Sequence, residues 1–69
     1  MKSYTPKEVV KILQKNNWYE KRVRGGHHIF ANENSDNIVV VPISKNNIPI
    51  GTLKNIERQS GIKFNGKEE

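Results

Sequence analysis

Apolar and polar residues alternate along this chain in two periods. From Val9 to Leu13 the apolar positions Val9, Val10, Ile12 and Leu13 gather on one side at helical spacing, with Lys7, Lys11, Gln14 and Lys15 on the other. The segment Thr5-Pro6-Lys7-Glu8 carries a start signal: a hydroxyl N-cap, proline at the first helical position and glutamate at the third. The spacing predicts a first helix ending near Asn16-Asn17, with its basic side read as a solvated surface.

The period then changes. Residues 18–24, WYEKRVR, read as a strand that Trp18 and Tyr19 begin, with Glu20, Arg22 and Arg24 alternating with Lys21 and Val23. Gly25-Gly26 is a two-residue hairpin signal, because primed turns need the positive φ that glycine adopts freely. His27 to Asn32 is the returning strand, and NENSDN at 32–37 is a polar turn. Ile38 to Val41 is an unbroken β-branched run ended by Pro42, expected to be a central strand with both faces at least partly covered. After a loop at 43–48, Pro49-Ile50-Gly51-Thr52-Leu53 opens a second helix that buries Ile50, Leu53 and Ile56. Gly61 is a left-handed cap, with Ile62 making the apolar contact beyond it.

The order helix, three antiparallel strands, helix predicts an α+β two-layer domain, with both helices on one face of the sheet and the other face open. Residues 1–64 form one domain in this reading, and 65–69 are a disordered tail. Trp18 and Phe30 are assigned to the core. A chain of 69 residues buries roughly 60% of its unfolded surface, so the core is thin and a large cofactor cavity is not expected.

Charge narrows the partners. Twelve Lys and Arg against seven Asp and Glu give a formal net charge of +5, which suits RNA, DNA, an acidic protein or an anionic membrane surface. There is no cysteine, so disulfides and thiolate metal sites are excluded. MKSYTPKE has no apolar run or cleavage site, and no window approaches a membrane span, so a cytoplasmic protein without membrane contact is expected.

The candidate chemistry lies in VRGGHHIF at 23–30, which holds both histidines of the chain. Neighbours on a strand point to opposite faces, so His27 and His28 cannot jointly chelate a metal, and no carboxylate cluster stands nearby. Histidine takes up and releases protons near neutrality. RNA carries its own nucleophile, the 2′-hydroxyl. One histidine can therefore cleave RNA as general acid or base without metal or cofactor, if cations steady the phosphate. Lys21, Arg22, Arg24 and Lys45 lie around the hairpin or in a loop that could approach it, and Gly25 and Gly26 would let a nucleic-acid backbone come close. The same residues also suit a non-catalytic RNA-binding module or a basic protein-protein adaptor. A basic patch at the second helix's start would favour the binding module, and IPIGTL is uncharged until Lys54.

Three stretches in order, VVKILQKNNWYEKR, RGGHHIF and VVVPISKNNIPIGTLKNIERQSGI, resemble the HicA family of toxin-antitoxin mRNA interferases, from residue 5 to about residue 64. The resemblance implies a double-stranded-RNA-binding-domain-like fold and a ribosome-independent endoribonuclease acting on mRNA. It implies a catalytic histidine on the second strand, which aligns with His28. His27 and Gly26 are supporting positions, because the serine usual in the family's glycine-serine-histidine stretch is replaced here by Gly26 or His27. It also implies a HicB-type antitoxin that blocks the active site, with the toxin a monomer when free and a hetero-oligomer when neutralised. Lys45 stands where a basic residue or histidine often follows the family's proline.

Overall fold

A computed structural model of the chain describes residues 3–44 and 46–64. Five elements follow in order: α1 (Pro6–Lys15), β1 (Tyr19–Arg24), β2 (His27–Ala31), β3 (Ile38–Pro42) and α2 (Ile50–Ser60). The strands form an antiparallel sheet in the order β1-β2-β3. Val9 and Leu13 of α1 and Leu53 and Ile56 of α2 meet Phe30, Val39 and Val41 in one core. Both helices thus cover one face, the expected two-layer α+β architecture. Trp18 and Phe30 belong to that core, as expected.

Helix α1 starts as its sequence dictates. The Thr5 hydroxyl accepts from the Glu8 backbone N–H at 3.2 Å, and the Thr5 N–H donates to the Glu8 carboxylate at 2.9 Å. Replacing Thr5 by alanine is expected to cost about 1 kcal/mol. In a domain of this size that lowers the melting temperature by roughly 4–8 °C, and a thermal melt followed by circular dichroism checks it.

The helix ends in a Schellman turn. Asn17 adopts φ 71°, the Asn17 N–H donates to Gln14 O at 3.4 Å, and the Trp18 N–H donates to Leu13 O at 3.0 Å. This turn folds Trp18 back onto the core beside Leu13, so Trp18 closes the helix rather than beginning the strand. At the other end of the chain, Gly61 takes φ 76° and donates to Glu57 O at 2.8 Å, and Ile62 packs against the core as expected.

Two expectations fail, one of strand position and one of burial. The run at 38–41 is an edge strand, not a central one; β2 is central, because a meander of consecutive hairpins leaves its last strand on the outside. Val39 and Val41 are buried, Val40 is half-buried and Ile38 is exposed. Ile50 is exposed while Leu53 and Ile56 are buried. Each three-residue step falls about 60° short of a full turn, so the trio spreads over about 120°, and the core meets only the part around Leu53 and Ile56.

The segments flanking the helices close the core from the side. Tyr4 and Phe64 meet edge to face, with ring centroids 5.3 Å apart, and the Ile48 N–H donates to Tyr4 O at 2.7 Å. The tail at 65–69 lies outside the described residues.

Candidate active site

Strand register decides which side chains share a face. In β2 and β3, Phe30 pairs with Val39 and His28 with Val41, which places His28 on the helix-covered face. His27 pairs with Pro42 and Ile29 with Val40 on the opposite face. The expected separation of the two histidines is what the sheet contains.

Across the hairpin the alternation breaks. Glu20 pairs with Phe30, but the next pairs are Arg22 with Ile29, Val23 with His28 and Arg24 with His27. Two steps along β1 match one along β2, so Lys21 is the extra residue of a β-bulge. Regular alternation would put Glu20, Arg22 and Arg24 on one face. The bulge instead keeps Glu20 on the face of His28 and sends Arg22 and Arg24 to the face of His27.

The consequence is a carboxylate beside an imidazole. His28 Nδ1 lies 3.1 Å from Glu20 Oε2, with the side chains 29% and 36% exposed. A carboxylate in its ionised form only accepts, so this contact suits a ring with its proton on Nδ1 and the Nε2 lone pair free. The Phe30 ring lies on the inner side of the imidazole, with centroids 6.3 Å apart.

His28 lines a cleft of about 420 Å³ with Pro6, Lys7, Val10, Lys11 and Gln14 of α1 and with Ile43 and Ser44 after β3. Positions 7, 10, 11 and 14 form one stripe along the helix. The two lysines are exposed and bring positive charge to the rim of the histidine cleft. The helix face expected to be merely solvated is therefore one wall of the cleft.

The hairpin tip is fixed beside it. Gly25 and Gly26 take φ 53° and 84°, the pair of positive values a type I′ turn demands. Gly26 O accepts from the Ile43 N–H at 2.8 Å, tying the turn to the segment that supplies Ile43 and Ser44. A side chain at Gly26 would meet nothing within 4 Å, so backbone conformation rather than space favours glycine there.

His27, exposed, borders a smaller groove of about 240 Å³ with Val40, Pro42, Thr52, Asn55 and Gln59. Helix α2 runs beside the edge strand: Leu53 and Ile56 reach the core, and the adjacent side of the helix borders the outer face of the sheet. Of the phosphate-binding candidates, Arg22 and Arg24 lie on this outer face, away from His28. Lys21 occupies the bulge, and Lys45 lies outside the described residues.

A family model described as HicA toxin of bacterial toxin-antitoxin matches residues 6–62. The chain belongs to the HicA toxin family. No curated protein matches it. The HicA match runs from the first residue of α1 past the last of α2, so it includes both histidine clefts and all five elements. The architecture agrees with the double-stranded-RNA-binding-domain-like fold that membership implies.

Sequence reasoning missed Glu20, Lys7, Lys11, Gln14 and Ser44 as neighbours of His28. The helical spacing of 7, 11 and 14 was the available signal for α1. Glu20 had none, because a bulge leaves no mark in a run as polar as EKR. Among the described residues no helix is long and apolar enough to cross a membrane, and no three His, Asp or Glu side chains cluster as metal ligands would.

Proposed function

We propose that this HicA toxin is a metal-independent endoribonuclease of mRNA, acting without the ribosome, with His28 as its general base. The observation that carries the reading is that His28, with Nδ1 3.1 Å from Glu20 Oε2, lines a cleft rimmed by Lys7 and Lys11. With Nδ1 protonated, Nε2 takes the 2′-hydroxyl proton. The 2′-oxygen attacks the adjacent phosphorus, and the 5′-oxygen leaves with a proton from water. The products are a 2′,3′-cyclic phosphate and a 5′-hydroxyl. Lys7 and Lys11 stabilise the charge that builds on the phosphoryl oxygens.

The test is incubation of a defined RNA with the wild type, His28→Ala and His27→Ala in EDTA. Cleavage by the wild type that His28→Ala loses supports the reading, as does a substrate made resistant by 2′-deoxy substitution at the scission site. Binding without cleavage by the wild type would instead make the protein an RNA-binding module.

One observation favours a second assignment within the same reaction. His27 shares its groove with Pro42 and Thr52, so that groove joins two of the three stretches on which the family resemblance rests. Arg22 and Arg24 stand on the same face. Loss of cleavage in His27→Ala with retention in His28→Ala would move the base to His27 and the phosphate contacts to these arginines.

The lysines have their own signature. Replacing Lys7 and Lys11 together by glutamine is expected to weaken RNA binding and to flatten the dependence of log affinity on log salt by roughly 1.4, about 0.7 per lost contact to a single strand. Binding titrations across a salt series measure it, and an unchanged slope removes α1 from the phosphate site. The partner of the free monomer is a HicB-type antitoxin that closes the cleft in a hetero-oligomeric complex. Co-expression rescue of growth arrest tests that pairing.

A further inference from the structure

We infer that the exposed ring of Tyr19 and the carboxylate of Glu33 form a pocket for one base of the RNA strand, a base that bears an amino group, at the far end of the sheet from the hairpin. The inference rests on RNA as the substrate and on the second assignment above, with the strand crossing the face of His27.

The outer face of the sheet changes character along its length. At the hairpin end Arg24, His27 and Pro42 stand in one row across the three strands. At the other end Tyr19, Ala31 and Ile38 form the corresponding row, with Arg22 between the two ends. No acidic residue stands in these rows, so the face suits a phosphate backbone at one end and a flat apolar group at the other. Tyr19 is 49% exposed and takes no part in the core. Ala31 is four residues from His27 along β2, about 13 Å at the usual rise of a strand. A stacked strand advances about 3.4 Å per nucleotide, so a base at Tyr19 lies at most about four nucleotides from the one at His27.

Beside the ring is a recess of about 350 Å³ lined by Asn17, Tyr19, Asn32, Glu33 and Asn34. Its walls are held from two sides. Asn17 sits in the turn that ends α1, at φ 71°. The turn after β2 is closed by the Ser35 N–H on Asn32 O at 3.0 Å and by the Asn34 N–H on Asn32 Oδ1 at 2.8 Å. Asn32 Nδ2 donates to Asn16 O at 3.3 Å and joins the two turns. Among the described residues the side chains of Asn17, Glu33 and Asn34 make no hydrogen bond, so their polar atoms are open to a ligand.

These groups fit a base edge better than a phosphate. No Lys or Arg lines the recess, and an ionised Glu33 repels an anion. A carboxylate accepts from the exocyclic amino group of cytosine or adenine, and the amides of Asn17 and Asn34 both donate and accept. Uracil has no amino group and would turn carbonyl oxygens toward the carboxylate. Tyr19 supplies the stacking surface that any base accepts, and Glu33 supplies the choice between bases.

The experiment measures binding of short 2′-O-methyl oligonucleotides of C, A or U to the full chain. These strands lack the nucleophilic hydroxyl and stay intact. The wild type is expected to prefer C and A over U by roughly 5-fold or more. Tyr19→Ala is expected to weaken binding of the C and A strands by roughly 5- to 150-fold, the loss of one base–aromatic stack, and Tyr19→Phe to restore it. Glu33→Ala is expected to erase the preference without weakening the U strand. Both side chains are exposed, and a matching thermal melt shows that each variant is folded.

Wild-type binding by Tyr19→Ala, a loss that Tyr19→Phe fails to relieve, or a preference that survives Glu33→Ala overturns the inference. So does a Tyr19→Ala variant that binds RNA normally but escapes neutralisation by the antitoxin, which would make the ring a protein contact. If the wild type neither binds these strands nor cleaves RNA, the reading of RNA as substrate has failed. If it binds and cleaves RNA while the Tyr19 and Glu33 variants behave as the wild type, only the base pocket has failed.

Discussion

His28→Ala is expected to reduce the rate of RNA cleavage by 10²–10⁴-fold, with RNA binding retained. The magnitude is that of a lost proton transfer, and it is expected without collapse of the fold. His28 is only half-buried, and no core residue relies on its imidazole for a hydrogen bond. The lysines at positions 7 and 11 remain in place on α1, so the proposed phosphate contacts survive the change. The measurement is initial rate against RNA concentration in EDTA, beside a binding titration. A loss confined to kcat supports a base acting in the transition state. A rise in KM alone would make His28 a binding residue. Full activity would remove it from the mechanism and direct attention to His27.

Phe30→Ala is expected to have the largest effect on stability. Phe30 is fully buried in the central strand, between Glu20 on β1 and Val39 on β3. Truncating such a ring costs about 3–5 kcal/mol, through lost burial and the cavity left behind. Domains carry roughly 0.05–0.15 kcal/mol of stability per residue, so a chain of 69 residues has about 3–10 kcal/mol in total. The variant should therefore be largely unfolded at 37 °C. Phe30→Leu, which retains most of the apolar volume, should lose about 1 kcal/mol and stay folded. Urea denaturation followed by tryptophan fluorescence measures both, since the chain has a single tryptophan, Trp18, which is buried in the same core. A cooperative transition for Phe30→Ala within 1 kcal/mol of the wild type would show that the sheet does not depend on this ring. The same substitution also removes the wall behind His28, so activity should fall further than the folded fraction alone accounts for.

Much of the fold was legible because its signals are local. The hydroxyl, proline and glutamate of Thr5-Pro6-Lys7-Glu8 satisfy the first turn of α1 from within four residues. Gly25-Gly26 needs no partner elsewhere to adopt two positive φ values, and Gly61 ends α2 by the same freedom. Burial was less legible. Ile50 fits the apolar spacing, yet α2 meets the core on the side of Leu53 and Ile56. Ile38 to Val41 reads as an inner strand, yet lies at the edge.

By itself the sequence determined the element order, the helix caps, the hairpin turn and the sending of His27 and His28 to opposite faces. Each follows from one residue's conformational preference or from the two-residue period of a strand. Only the tertiary structure decided that Glu20 reaches His28, that Lys7 and Lys11 face it from α1, and that Arg22 and Arg24 stand on the other side. Those placements depend on one extra residue in a strand register and on where a helix crosses a sheet. Register is set by which long-range pairs bury the most surface around Phe30, and no local stretch of the chain encodes that.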